Sequence, residues 1–136
     1  MKRKFLFCAT CFVFANFVLP ARAELVVIVN PKSGAGTMSN SQIAQFFLGG
    51  SVTFVPIEQT DSSPLRAEFC KKVLGKEPNQ VQAVWARIVF TGKGSPPKIM
   101  KSSEEVKKAV IENMNAIGYI EKSAADDSVK IVALIQ

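Results

Sequence analysis

Val52-Thr53-Phe54-Val55-Pro56-Ile57-Glu58-Gln59-Thr60-Asp61-Ser62-Ser63-Pro64-Leu65-Arg66-Ala67-Glu68-Phe69 changes its grammar part-way along. Val52 to Ile57 is rich in β-branched and aromatic residues and predicts a strand. Ser63-Pro64 then opens a helix, with Ser at the N-cap and Pro at the first helical position. Leu65, Phe69 and Val73 share one face of it, and Gly75 ends it. Between strand and helix lie Gln59, Thr60, Asp61, Ser62 and Ser63, hydroxyls set beside the free backbone N–H groups of a helix start. Such a terminus carries partial positive charge and suits an anion. The same residues also suit ordinary local structure: Ser63 as a cap and Asp61 as a turn former. Both readings stand on this stretch alone.

Outward from it, strands keep alternating with amphipathic helices. Leu25 to Val29 is continuously apolar, the pattern of a strand buried on both faces. Ser39 with Gln42 forms a capping box ahead of Ile43, Phe46 and Phe47, and Gly49-Gly50 stops that helix. Asn79 and Gln82 repeat the capping pattern around Val81, Val84, Trp85 and Ile88. Thr91 to Pro97 is a loop by composition. Ser102 and Glu105 cap a further helix carrying Val106, Val110 and Met114, and Ala116 to Ile120 and Val129 to Ile135 are strands. This order predicts a layered α/β domain, its mostly parallel sheet flanked by helices.

The N-terminus has a different character. Lys2, Arg3 and Lys4 precede an apolar run from Phe5 to Leu19, and Pro20 and Ala21-Arg22-Ala23 follow. This is the layout of a signal peptide cut after Ala23, and the apolar run is short for a membrane span. Residues 1–23 are therefore expected to be removed, leaving residues 24–136 as one domain in the periplasm or outside the cell, with no span after cleavage. Four of the 17 basic residues and none of the 11 acidic ones fall in the leader, so the mature charge is 13 less 11, or +2. A chain so nearly balanced gives no footing for nucleic-acid binding. Cys8 and Cys11 have redox-motif spacing but lie in the leader. Cys70 alone remains, placed as a small buried hydrophobe.

The chain has no histidine. That excludes Ser-His-Asp and Cys-His catalysis and every His-ligated metal site. No paired acids or nucleophile–base set replaces them, so no enzyme, no metal and no cofactor is expected. Asn30-Pro31-Lys32-Ser33-Gly34-Ala35-Gly36-Thr37 resembles the opening loop of diacylglycerol and sphingosine kinases. The second glycine-rich motif of those kinases is missing, and the loop is better read as a strand-to-helix connection.

Ile43-Ala44-Gln45-Phe46-Phe47-Leu48-Gly49, Asp61 to Phe69, Trp85 with Ile88 to Pro97, and Ala116-Ile117-Gly118-Tyr119-Ile120 occur in a familiar order. Together they resemble the phosphate ABC transporter substrate-binding proteins, in particular the short single-lobe members. The resemblance implies one lobe of the type 2 periplasmic binding-protein fold, with phosphate or another small anion as ligand and a membrane transporter or accessory protein as partner. In the full-length relatives the strand-to-helix segment reads Arg-x-Asp-Gly-Ser-Gly-Thr, and its Arg, Ser, Gly and Thr hold phosphate. Here Asp61 and Ser63 match, Gln59 stands for the Arg, Pro64 for the Gly and Leu65 for the Thr. Gln59, Asp61, Ser62, Ser63 and Arg66 are thus the candidate ligand residues, with Ser33 and Thr37 added from the loop after the first strand. The alternative is an accessory module that uses the same fold to dock a protein without a small ligand.

Overall fold

The computed structural model describes residues 24–136. The expected leader, with its two cysteines and the expected cleavage motif, lies outside the described residues. Five strands and four α-helices follow in the order β1 (Leu25–Val29), α1 (Asn40–Phe47), β2 (Val55–Gln59), α2 (Pro64–Phe69), α3 (Pro78–Phe90), β3 (Lys98–Met100), α4 (Ser103–Glu112), β4 (Ala116–Glu121) and β5 (Lys130–Ile135). A π-helical turn, Cys70–Leu74, extends α2, and Gly75 ends it at φ 63°. Among the described residues no helix is long and apolar enough to cross a membrane.

The sheet order is β3-β2-β4-β1-β5. β2 pairs in parallel with β3 and β4, whereas β1 is antiparallel to both β4 and β5. Four strands therefore point one way, the mostly parallel sheet expected, and β1 alone runs against them. Its alternation explains its unbroken apolar sequence. Leu25, Val27 and Val29 face a core built with α1, α2 and the π turn, while Val26 and Ile28 face a second core under α4. On the first face Phe69 stacks on Tyr119 at 4.0 Å and meets Phe47 edge-on at 4.7 Å. On the second, Gly118 lets α4 lie close, since a Cβ there would stand 2.6 Å from Cγ1 of Val106.

Local signals hold at α1 and α4. Ser39 Oγ accepts from the Gln42 N–H, Gln42 Oε1 accepts from the Ser39 N–H, and Ser102 Oγ accepts from the Glu105 N–H. Three boundaries differ from expectation, and at the first α4 ends at Glu112, with Asn113 extended, which leaves Met114 beyond the helix and exposed. β2 covers Val55–Gln59 rather than Val52 to Ile57, because Phe54 turns to pack edge-on against Phe46 and leaves Val52 in solvent. α3 starts at Pro78, not after Asn79. Glu77 is the N-cap, its N–H donates to Gln80 Oε1, and Pro78 takes the first helical position.

Candidate functional site

β2, β3 and β4 are mutually parallel, so all three release the chain at one end of the sheet. The segments leaving them, beginning at Thr60, Lys101 and Lys122, surround a concave mouth of about 470 Å3. On one side the Thr60 N–H extends the β2–β3 ladder to Met100 O at 3.1 Å, and the Ser63 N–H closes a turn on Thr60 O at 2.9 Å. Thr60 and Ser62 hydroxyls meet at 3.0 Å. On the other side Ser102 caps α4, so Lys101, Ser103 and the first turn of that helix face the same space.

The sequence-nominated residues divide into three groups. Ser62 and Ser63 line the mouth. Gln59 also borders it, but its side chain is an internal brace. It is 2% exposed, its Nε2 donates to Tyr119 O at 2.9 Å, and its Oε1 accepts from Ser63 Oγ at 2.7 Å. Ser63 is therefore the N-cap by position only; its hydroxyl serves Gln59 and makes no cap bond.

Arg66 and Asp61 form the second group. Arg66 is buried, and its Nη1 donates to Glu58 Oε2 and to Gln59 O, each at 3.2 Å. Its Nε lies 3.0 Å from Asp61 Oδ1. The guanidinium is thus held between two carboxylates and does not line the mouth. Tyr119 completes this network by donating its hydroxyl to Glu58 Oε2 at 2.7 Å. Burial is the largest influence on Glu58 and pushes its carboxyl pKa up, with Tyr119 and then Arg66 pulling it back.

Ser33 and Thr37 are the third group, and the structure does not bring them to the others. Because β1 runs against β2, the loop after Val29 leaves at the opposite end of the sheet, on the order of 13 Å away along a five-residue strand. There the Asn30 side chain donates to Val110 O and Ile111 O, tying off the C-terminus of α4, and accepts from the Lys32 N–H. Ser33 Oγ accepts from the Ala35 N–H. The Asn-Pro-x-Ser-Gly loop is a helix clamp.

No protein-family model and no curated protein matches the chain. Solved structures do. A protein from Clostridium perfringens assigned as a phosphate ABC transporter substrate-binding protein, solved with bound phosphate, superposes with a TM-score of 0.67 at 24% identity, over 80% of this chain and 44% of its own. An ABC-type phosphate transport receptor from Vibrio cholerae gives 0.63 at 18% identity, over 80% and 45%. PstS from Borrelia burgdorferi gives 0.62 at 16% identity, over 81% and 46%. The chain has the fold of one lobe of these substrate-binding proteins. It spans less than half of each.

Within that lobe, Lys101 and Ser103 were missed by sequence reasoning, which took Ser102 only as a cap. The signal was present. Lys101-Ser102-Ser103 repeats the arrangement of Thr60 to Ser63, small hydroxyl residues between a strand end and a helix start. What hid it is β3, three residues long and adjacent to a Pro-Gly loop. The mouth also holds Glu104 and Glu121, so among its lining side chains two carboxylates face the single ammonium of Lys101.

Proposed function

We propose that this is an exported, non-enzymatic solute-binding protein of the phosphate-transport type, which takes phosphate or another small anion weakly at the mouth. The observation that carries the reading is the convergence of Ser62, Ser63, Lys101 and Ser103 with the start of α4 at the common end of three parallel strands. Ligands of open α/β sheets gather at that end of the strands. The relatives named above supply the ligand class, and the leader-like N-terminus supplies the location, periplasmic or secreted. A membrane transporter or its accessory protein is the natural partner.

The binding is weak for chemical reasons. Arg66 is engaged by Glu58 and Asp61, Gln59 is neutral and turned inward, and Pro64 has no N–H to offer. Hydrogen bonds to a charged group contribute about 1.5–3 kcal/mol each. Two fewer such contacts lower affinity by roughly two to four powers of ten. Titration calorimetry of the purified protein with phosphate is the test. Weak saturable heat that disappears in Lys101→Ala supports the reading, and submicromolar affinity of the monomer contradicts it. Complete absence of binding by every oxyanion tried favours the second reading, an accessory docking module. That alternative draws on the inward commitment of Gln59 and Arg66, which leaves the mouth short of cation.

A further inference from the structure

Helix α3 leaves apolar surface open on both sides of the loop that follows it. Of its residues only Val81 is buried. Trp85 is drawn partly inward, its Nε1 donating to Phe47 O at 2.8 Å, and it lines two adjoining grooves. One, of about 510 Å3, has Val89, Phe90 and Ile99 on its walls. The other, of about 300 Å3, has Val52, Phe54 and Val55. Pro96 and Pro97 border both, so the two form one continuous face. Val52 is 93%, Phe90 91% and Ile99 61% exposed. Continuous apolar surface with a polar rim marks a contact with a protein or a membrane.

The accessible charge on this face has one sign. Lys93 and Lys98 line the second groove and are exposed. Glu58 is the only acid lining either groove, and it is buried with Arg66 Nη1 3.2 Å from its Oε2. The sequence sets up this bias. Residues 33–57 hold no charged side chain, and residues 78–103 hold Arg87, Lys93, Lys98 and Lys101 with no acid. That second span carries +4, whereas the remainder of residues 24–136, with nine basic and 11 acidic residues, carries −2.

We infer that this face docks on the surface of an anionic lipid bilayer, with Val52, Phe90 and Ile99 entering at headgroup depth and Lys93 and Lys98 lying among the lipid phosphates. A second copy applied face to face about a two-fold axis would set lysines against lysines. A purely apolar partner would strip the ammoniums of water and offer no anion in return. An acidic segment of another protein would meet the charge, but seated in one groove it would leave the side chains projecting from the other in water. A fluid interface fills both grooves, receives the projecting side chains and needs no pocket matched to each. Headgroup depth also keeps water at the free edge of β3, which the hydrocarbon interior would not. The inference takes its setting from the exported, transporter-linked reading but not its chemistry, since this face and the mouth share no lining residue.

The test is sedimentation of the purified protein with vesicles of equal parts phosphatidylglycerol and phosphatidylcholine, against vesicles of phosphatidylcholine alone. Trp85, the only tryptophan in the chain, reports from the face itself. The expected result is saturable binding to the anionic vesicles, weakened by salt, with a blue shift of Trp85 emission, and binding at least tenfold weaker to the neutral ones. Each lysine near an anionic surface contributes about fivefold, so Lys93→Gln with Lys98→Gln should weaken binding roughly thirtyfold. Phe90→Ser should weaken it about tenfold. All three positions are exposed, and the variants should take phosphate as the parent does, which separates a failure here from a failure of the anion-binding reading. No binding to anionic vesicles overturns the assignment and gives the face to a protein partner. Equal binding to both vesicle types, or binding unchanged in the variants, overturns it as well.

Discussion

Replacing Tyr119 by Phe removes one oxygen from the middle of the molecule and nothing else. The ring is fully buried, stacked on Phe69, and its space is unchanged by the substitution. The oxygen has two roles. It donates to Glu58 Oε2 at 2.7 Å and accepts the Gln59 N–H at 3.3 Å. The first bond is to a carboxylate and contributes about 1.5–3 kcal/mol. Losing the second leaves a buried amide without a partner, about 1–3 kcal/mol, at the low end because the bond is long. The variant should therefore lose roughly 2.5–5 kcal/mol, a large part of the 5–15 kcal/mol typical of a folded domain.

Urea unfolding followed by Trp85 emission and far-ultraviolet circular dichroism measures this. With an m value of about 1–3 kcal/mol per molar, the midpoint should fall by roughly 1–5 M with m unchanged. The loss should also depend on pH. Glu58 has its folded pKa raised above the unfolded one, so its contribution is fully present below its ordinary value and declines as pH rises through the folded value. Tyr119 is one of the groups that restrain this rise, so without it the folded value lies higher and the decline continues to higher pH. The deficit of the variant should thus be greatest above the folded values and smallest below the ordinary carboxylate value, where Glu58 is protonated in folded and unfolded chains alike. A loss below about 1 kcal/mol at neutral pH, or one independent of pH, would refute the network as described.

Three other outcomes are expected. Gly118→Ala should cost about 1–3 kcal/mol by pushing α4 off the sheet, and Val106→Ala in the same chain should recover part of it, both read from unfolding midpoints. Burial pushes the Cys70 thiol up to about 11, so a thiol reagent should label it far more slowly in native than in urea-unfolded protein at neutral pH. Lys107 and Ser128 hold the Asp126 carboxyl down to about 2, so the pair favours the fold above the ordinary aspartate range and loses that effect as pH falls through about 2. In Lys107→Ala the carbon-13 titration midpoint of Asp126 should move upward.

The parts of the fold legible in the sequence are those set by near neighbours. Capping at Ser39 and Ser102, Pro64 at a helix start and the apolar run of β1 each depend on residues within a turn or a strand, and each stands where expected. What was hidden depends on the third dimension. That β1 runs against its neighbours is a property of the pairing, and it alone separates Ser33 and Thr37 from the mouth. The commitment of Arg66 to Glu58 and Asp61 follows from a side chain bending back across its own helix start, which spacing does not specify. β3 is too short to carry a period.

These hidden features bear jointly on what the mouth can hold. With Arg66 neutralised below it and Glu104 and Glu121 facing Lys101, the mouth exerts little net attraction on a distant anion, and salt at cellular strength would screen most of what remains. In the proposed reading recognition then comes from short-range donors, the hydroxyls of Ser62 and Ser103 and the N–H groups opening α4, since the Ser63 hydroxyl is spent on Gln59. Such donors reward geometry more than total charge, so a singly charged oxyanion loses little there against a doubly charged one. The open side of a lone lobe leaves water free to compete for each donor. A covering surface that excluded this water would raise the strength of all of them at once, which gives the binding reading and the docking reading a common physical basis: a partner seated over the mouth would itself tighten the anion.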